Sequence, residues 1–329
     1  MTYMKLSHYV SIVAASLVTM MSSAQDSTLK VLFIGNSYTH VNDLPTMVER
    51  VVSSVNNGQF KLAHDNSTPG GWYWYKHVND STTLSKIKKG NWDVVVLQEQ
   101  SQMLSLPDST IAKESIPHLQ VLVDSIKRSS PNAKLFFYRT WGRKNGDAQN
   151  GVAWPAVATY EGMDSLLSKR YSMLADSLKG KLVPVGDVWK AIRKTHPEIE
   201  LYSEDGSHPS LAGTYAAAIT FANAFFGVHP LDVTFESKLS AEQAIAIRKV
   251  AESVLVKSSA SKGEWKPRFT KKKKTAEIKA PRKLNLEGPQ PYLTHSSNPL
   301  KESDEQGVDR FNHLAIIPSN SERRRRFFL

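Results

Sequence analysis

Ser37 stands in the pentapeptide Gly35-Asn36-Ser37-Tyr38-Thr39, directly after the apolar run Leu29–Ile34 and ahead of a segment with helical periodicity. A serine in a tight strand-to-helix turn exposes its hydroxyl at the sheet edge, beside backbone N–H groups that can stabilise an oxyanion. A helix cap or a phosphate-binding turn has the same local pattern, but no Walker lysine follows it here. Far downstream, Asp205-Gly206-Ser207-His208-Pro209 sets a carboxylate three residues before an imidazole. In a loop, that spacing lets Asp205 orient His208 while the other ring nitrogen faces a serine. Either segment alone is equally well read as loop and cap structure. Taken together, Ser37, His208 and Asp205 are the parts of a nucleophilic hydrolase.

The elements that must bring these residues together follow an alternating pattern. Strand-like runs at Leu29–Ile34, Phe60–Ala63, Trp92–Leu97, Lys134–Tyr138 and Lys181–Val185 are interleaved with helical segments. The helices are expected at Asp43–Asn56, Ile111–Ile126, Val157–Leu178, Asp187–Lys194, Leu211–Phe226 and Ser240–Val256. The Val94-Val95-Val96-Leu97 run suits a strand covered on both faces. This predicts an α/β fold, a three-layer α/β/α arrangement around a five-stranded, mainly parallel sheet with right-handed crossovers. Chemistry in such folds gathers beyond the carboxyl ends of the strands, and Ser37 follows the first strand as required.

Over roughly residues 29–228 the chain resembles the GDSL/SGNH hydrolase superfamily. Gly35-Asn36-Ser37 stands where that family has Gly-Asp-Ser, and Asp205-x-x-His208 matches its last block. The details look closest to a bacterial subgroup whose first block reads Gly-Asn-Ser. The resemblance implies a serine esterase on a flavodoxin-like sheet, with oxyanion donors from the Ser37 N–H, a glycine after the second strand and an asparagine after the third. Gly70 and Gly71 occupy the glycine position. The third strand is followed by Gln98-Glu99-Gln100-Ser101, without an asparagine; Gln98 is the favoured donor and Gln100 the alternative. Trp72, Trp74, Trp141 and Arg143 are candidate cleft-lining groups, since aromatic faces and guanidinium forks suit sugars and carboxylates. The expected substrate is an O-acyl, above all O-acetyl, group on carbohydrate. A lipase or thioesterase is the alternative within the superfamily, and a non-catalytic carbohydrate-binding protein the alternative outside enzymology.

Composition sets outer bounds. The chain has 329 residues and no cysteine, so disulfides and thiolate chemistry are excluded. His40, His64, His77 and His118 lack metal-ligand spacing, and neither a metal nor another cofactor is expected. Lys5 followed by the apolar Val10–Met21 run reads as a signal peptide over residues 1–24, which implies a secreted or periplasmic protein. The net charge of +11 is concentrated at the far end: residues 258–329 hold sixteen Lys/Arg against eight Asp/Glu, and residues 25–257 are left with about +2. The hydrolase domain, residues 25–257, therefore carries no nucleic-acid footprint. The basic tail, residues 258–329, is expected to be disordered and to contact anionic polymers or surfaces.

Overall fold

The structure is a computed structural model and describes residues 28–55 and 60–259. The expected leader and almost all of the basic tail lie outside the described residues. Five parallel strands form one sheet: β1 (Thr28–Ile34), β2 (Lys61–Ser67), β3 (Val94–Leu97), β4 (Lys134–Tyr138) and β5 (Lys181–Val183). Their spatial order is β2-β1-β3-β4-β5. The helices are α1 (Ser37–His40), α2 (Leu44–Ser53), α3 (Trp74–His77), α4 (Ser81–Lys89), α5 (Asp108–Glu114), α6 (Ile116–Ser129), α7 (Tyr160–Ser177), α8 (Val185–Thr195), α9 (Leu211–Phe226) and α10 (Ala241–Ser259).

The sheet is covered on both faces because its strands are apolar on both. Val31, Phe33, Val94, Val96, Phe136 and Tyr138 point into one core, shared with α2, α8, α9 and α10. Their neighbours Leu32, Ile34, Val95, Leu97, Leu135 and Phe137 point into the other, shared with Trp74, Ile87, α6 and α7. The period-two alternation of a strand thus feeds two separate hydrophobic layers. Alanine-rich α9 is buried along most of its length, where it packs against α2, α8 and α10 and sets Phe221 and Phe225 against Phe33 of the sheet.

Three differences from the expected elements have local causes. β2 runs on through His64-Asp65-Asn66, polar residues tolerated because β2 is an edge strand. Helix α4 is absent from the expected set, although Asp80 caps it by accepting from the Thr83 N–H at 2.7 Å and Gly90 follows it. The single helix expected over 111–126 is two helices, broken at Ser115. Pro117 has no N–H to give and its ring excludes the carbonyl four residues earlier, so α5 cannot run into α6.

The order of the strands decides where chemistry can occur. From β1 the chain passes to β2 on one side and later to β3 on the other, so the connections leaving β1 and β3 diverge. This topology places the binding region at that switch point, outside the carboxyl ends of the strands. Ser37 lies three residues beyond β1 and Gln98 immediately beyond β3.

Candidate active site

The turn carrying Ser37 is built by its neighbours. Asn36 caps α1, its Oδ1 accepting from the Tyr38 N–H at 3.1 Å. Gly35 is required for space: a Cβ there would lie 2.5 Å from Gln98 Oε1 and 2.8 Å from Thr39 Oγ1. The Ser37 N–H, at the first position of α1, has no hydrogen-bond partner among the described residues, as expected for a helix start.

The second segment arrives from the other end of the chain. Asp205 Oδ1 accepts from the N–H groups of Ser207 (3.0 Å) and His208 (2.9 Å), folding the loop around its own carboxylate. Asp205 Oδ2 then meets His208 Nδ1 at 2.5 Å, and His208 Nε2 lies 2.8 Å from Ser37 Oγ. The hydrogen bond from His208 holds the Asp205 carboxyl far below the usual carboxylate range. An ionised Asp205 can only accept, so Nδ1 carries the ring proton and Nε2 offers its lone pair to the serine hydroxyl. The Asp205 and His208 side chains are 42% and 35% exposed, so the cluster is open to solvent.

Trp141 belongs to the support of this cluster and not to a cleft. It is fully buried, stacked on Tyr38 at 4.8 Å and on Trp189 at 3.5 Å between ring centroids. Its indole N–H donates to the Ser207 carbonyl at 3.1 Å, one residue before His208. Tyr38 and the His208 imidazole meet edge to face, and Tyr38 shares a 2.7 Å hydrogen bond with Ser207 Oγ. The aromatic stack thus sets the height of the histidine loop. Trp74 is likewise fully buried, in the opposite core. The expectation that Trp141 and Trp74 line a cleft is corrected by their burial. Trp72 is half-buried and meets the His77 ring edge to face, and Arg143 keeps partial exposure.

The glutamines also differ from expectation. Gln98 is 1% exposed, and both hydrogens of its amide are engaged, by Asn36 Oδ1 (2.9 Å) and the Glu99 carbonyl (2.5 Å). Its Oε1 accepts from the Asn36 N–H at 2.9 Å and Thr39 Oγ1 at 3.0 Å. No donor is left for an oxyanion: Gln98 fixes the nucleophile turn. Gln100 Nε2 donates to Gln102 Oε1 at 3.1 Å and retains one hydrogen. Gly70 and Gly71 form the centre of a β-turn closed by the Trp72 N–H on the Pro69 carbonyl, with Gly71 at φ +70°, a region that favours glycine. Neither glycine N–H has a partner among the described residues. Asn36 Nδ2 donates to the Trp72 carbonyl at 3.0 Å and so joins this turn to the nucleophile turn.

The distinction between bracing and oxyanion donation is measurable. Gln98→Ala would leave the buried Asn36 N–H without its acceptor, a loss of about 1–3 kcal/mol. A lower melting temperature together with reduced turnover is expected. An oxyanion donor would instead lose turnover at unchanged melting temperature.

Several residues that hold the site carry no motif in the sequence. Asn42, in the left-handed region at φ 56°, donates to the Pro209 carbonyl (3.2 Å) and Thr214 Oγ1 (2.9 Å), fastening the end of α1 to the histidine loop. Buried His77 bonds the Gly35 carbonyl through Nε2 at 2.8 Å and Thr83 Oγ1 through Nδ1 at 3.0 Å. Glu99, fully buried, accepts from the N–H groups of Trp74 (2.9 Å) and Gln100 (2.8 Å) and from Ser115 Oγ (2.6 Å). Burial pushes Glu99 up to about 7 and His77 down to about 4.

These two groups act oppositely on stability. The folded state holds the Glu99 proton more tightly than the unfolded chain, so its contribution falls as pH rises from about 4.5 through 7. The folded state binds the His77 proton less tightly, so its contribution falls as pH drops from about 6.5 through 4. The two slopes oppose each other between about 4.5 and 6.5. Glu99→Gln keeps an acceptor for both N–H groups and a donor for Ser115. It is expected to raise stability at pH 8 by on the order of 3 kcal/mol and to leave a variant that loses stability steadily on acidification. Equal pH profiles for variant and wild type would show that Glu99 titrates normally. Thermal melts from pH 4 to 8 make the comparison.

No family model matches the chain, and no curated protein matches it. Solved structures do. A DUF4886 family protein from Bacteroides uniformis is similar with a TM-score of 0.58 at 19% identity, covering 70% of this chain and 95% of that one. A candidate SGNH hydrolase from Slackia heliotrinireducens gives 0.48 at 24% identity, covering 60% and 98%. A family 3 carbohydrate esterase from Clostridium thermocellum gives 0.40 at 17% identity, covering 59% and 93%. The parallel sheet with helices on both faces is an α/β fold, shared with the Bacteroides uniformis protein.

Proposed function

We propose that this chain is a serine hydrolase of the GDSL/SGNH type that cleaves carboxylic esters, with O-acyl groups on carbohydrate as its substrates. One observation carries the reading: Ser37 Oγ, His208 and Asp205 form an unbroken hydrogen-bonded line of 2.8 and 2.5 Å from segments 168 residues apart. In the proposed reaction, Ser37 Oγ attacks the ester carbonyl as His208 Nε2 takes its proton, and Asp205 stabilises the resulting imidazolium. The tetrahedral oxyanion is held by the Ser37 N–H and by the Gly70 or Gly71 N–H, with the remaining Gln100 amide hydrogen as a third donor. His208 returns the proton to the leaving alcohol, and water attacks the acyl-enzyme by the same route.

The carbohydrate part of the proposal is supported by the openness of the cluster, which admits an acyl group still attached to a bulky polymer. The leader-like N-terminus agrees with action on an extracellular polysaccharide. The test is release of acetate from an O-acetylated polysaccharide, measured beside hydrolysis of 4-nitrophenyl esters of increasing chain length. Acetate release with a preference for short acyl groups supports the proposal. A preference for long chains would move the substrate to lipid or thioester.

A further inference from the structure

Arg143 lies in the loop after β4, whose backbone is fastened to the histidine loop by the Lys144 N–H donating to the Gly206 carbonyl at 2.8 Å. Its side chain is 23% exposed, so it reaches the surface. A guanidinium has five N–H donors. Among the described residues the Arg143 guanidinium makes a single hydrogen bond, a long one of 3.4 Å from Nη1 to Gln149 Oε1, and its buried Nε has no partner. Arg170 shows the usual arrangement, with Nε and Nη2 on Asp108 and Nη1 on the Leu104 carbonyl.

Asp147 does not satisfy this fork. Its Oδ1 is 3.7 Å from Arg143 Nη1, beyond hydrogen-bond reach. Both of its oxygens already accept from Gln102 Nε2 at 2.9 Å, and Oδ2 also accepts from Asn150 Nδ2 at 2.7 Å. Asp147 therefore holds the loop and leaves the guanidinium donors open. Burial raises the pKa of Tyr38 and of Tyr73, and the Arg143 charge opposes the rise in both. Tyr38 touches His208, and Tyr73 lies two residues beyond Gly71. The Lys144–Gly206 hydrogen bond beside Arg143 ties its loop to the histidine loop, whose His208 ring contacts Tyr38.

We infer that Arg143 is a specificity-determining residue and that the ester cleaved here carries a carboxylate, as an O-acylated sugar acid does. The inference rests on the hydrolase reading given above. A planar carboxylate matches the two Nη groups, whose donors are engaged only by the long Nη1 bond to Gln149 among the described residues. The Asp147 carboxylate, 3.7 Å from Nη1, favours a monoanion over a phosphate dianion.

The experiment compares O-acetylated glucuronic acid with O-acetylated glucuronamide, which differ only in the carboxylate. The wild type is expected to prefer the acid by about 10- to 100-fold in kcat/KM, the range of a hydrogen bond to a charged group. The preference should reside mainly in KM, weaken with salt, disappear in Arg143→Gln and survive in part in Arg143→Lys. Equal kcat/KM for the two esters in the wild type, or a preference that persists in Arg143→Gln, overturns the inference. Hydrolysis of 4-nitrophenyl acetate by the wild type separately tests the hydrolase reading. Calorimetric binding of both esters to Ser37→Ala protein reads the same preference without turnover, so the inference is decided even where hydrolysis fails.

Discussion

Ser37→Ala is expected to lower turnover of 4-nitrophenyl acetate by several powers of ten and to leave thermal melting unchanged. Among the described residues the Ser37 side chain makes one hydrogen bond, to His208, and no other part of the turn depends on it. The cap on α1 is supplied by Asn36, and Gln98 holds Asn36 in place. Alanine is readily accommodated in a helical first turn. Loss of a triad nucleophile leaves only what binding and the oxyanion donors contribute. A variant that keeps more than about a tenth of the wild-type rate, against the usual cost of several powers of ten, would show that another group attacks the ester.

Asp205→Asn is expected to cost about 10,000-fold in turnover, as for a triad left with the wrong tautomer. The geometry gives the reason. The carboxylate Oδ1 accepts from two backbone N–H groups, so an amide at this position must keep its carbonyl oxygen there. Its NH2 then faces His208 Nδ1, which has to become the acceptor. The ring proton moves to Nε2, and the lone pair that receives the Ser37 proton is gone. Asp205→Ala removes the loop hydrogen bonds as well and should lower the melting temperature, whereas Asp205→Asn should not. Full activity in Asp205→Asn would mean that His208 needs no partner to hold its tautomer.

The parts of this molecule that could be read from sequence are those where one residue type has one physical use. The continuous apolar runs of β1, β3 and β4 imply strands covered on both faces, and the alternation with helices implies a parallel sheet. The Asp205-x-x-His208 spacing implies that the two side chains can meet in a loop, and in the structure they do. What sequence could not supply was the direction in which polar side chains point. Gln98 has the chemistry of an oxyanion donor, but the hydrogens of its amide turn inward to Asn36 and Glu99. Trp141 follows a strand, where a cleft residue belongs, yet a stacking partner on each side draws it into the core. The leader, the cleavage position and the basic tail concern segments outside the described residues.

Asn36 is the residue whose meaning changes most. As a departure from Gly-Asp-Ser it weakens the resemblance to the family. In the structure its amide does what a carboxylate cannot: Oδ1 accepts from Tyr38 and Gln98 while Nδ2 donates to the Trp72 carbonyl. One side chain therefore holds the nucleophile turn and the glycine turn in register, and Gln98 holds that side chain.

Covalent labelling reads whether Ser37 is an activated nucleophile without any choice of substrate. The purified protein is treated with a fluorophosphonate and the adduct located by peptide mass spectrometry. The expected result is a single adduct on Ser37, absent from Ser37→Ala and strongly slowed in Asp205→Asn. An unlabelled protein, or an adduct on any other residue, contradicts it.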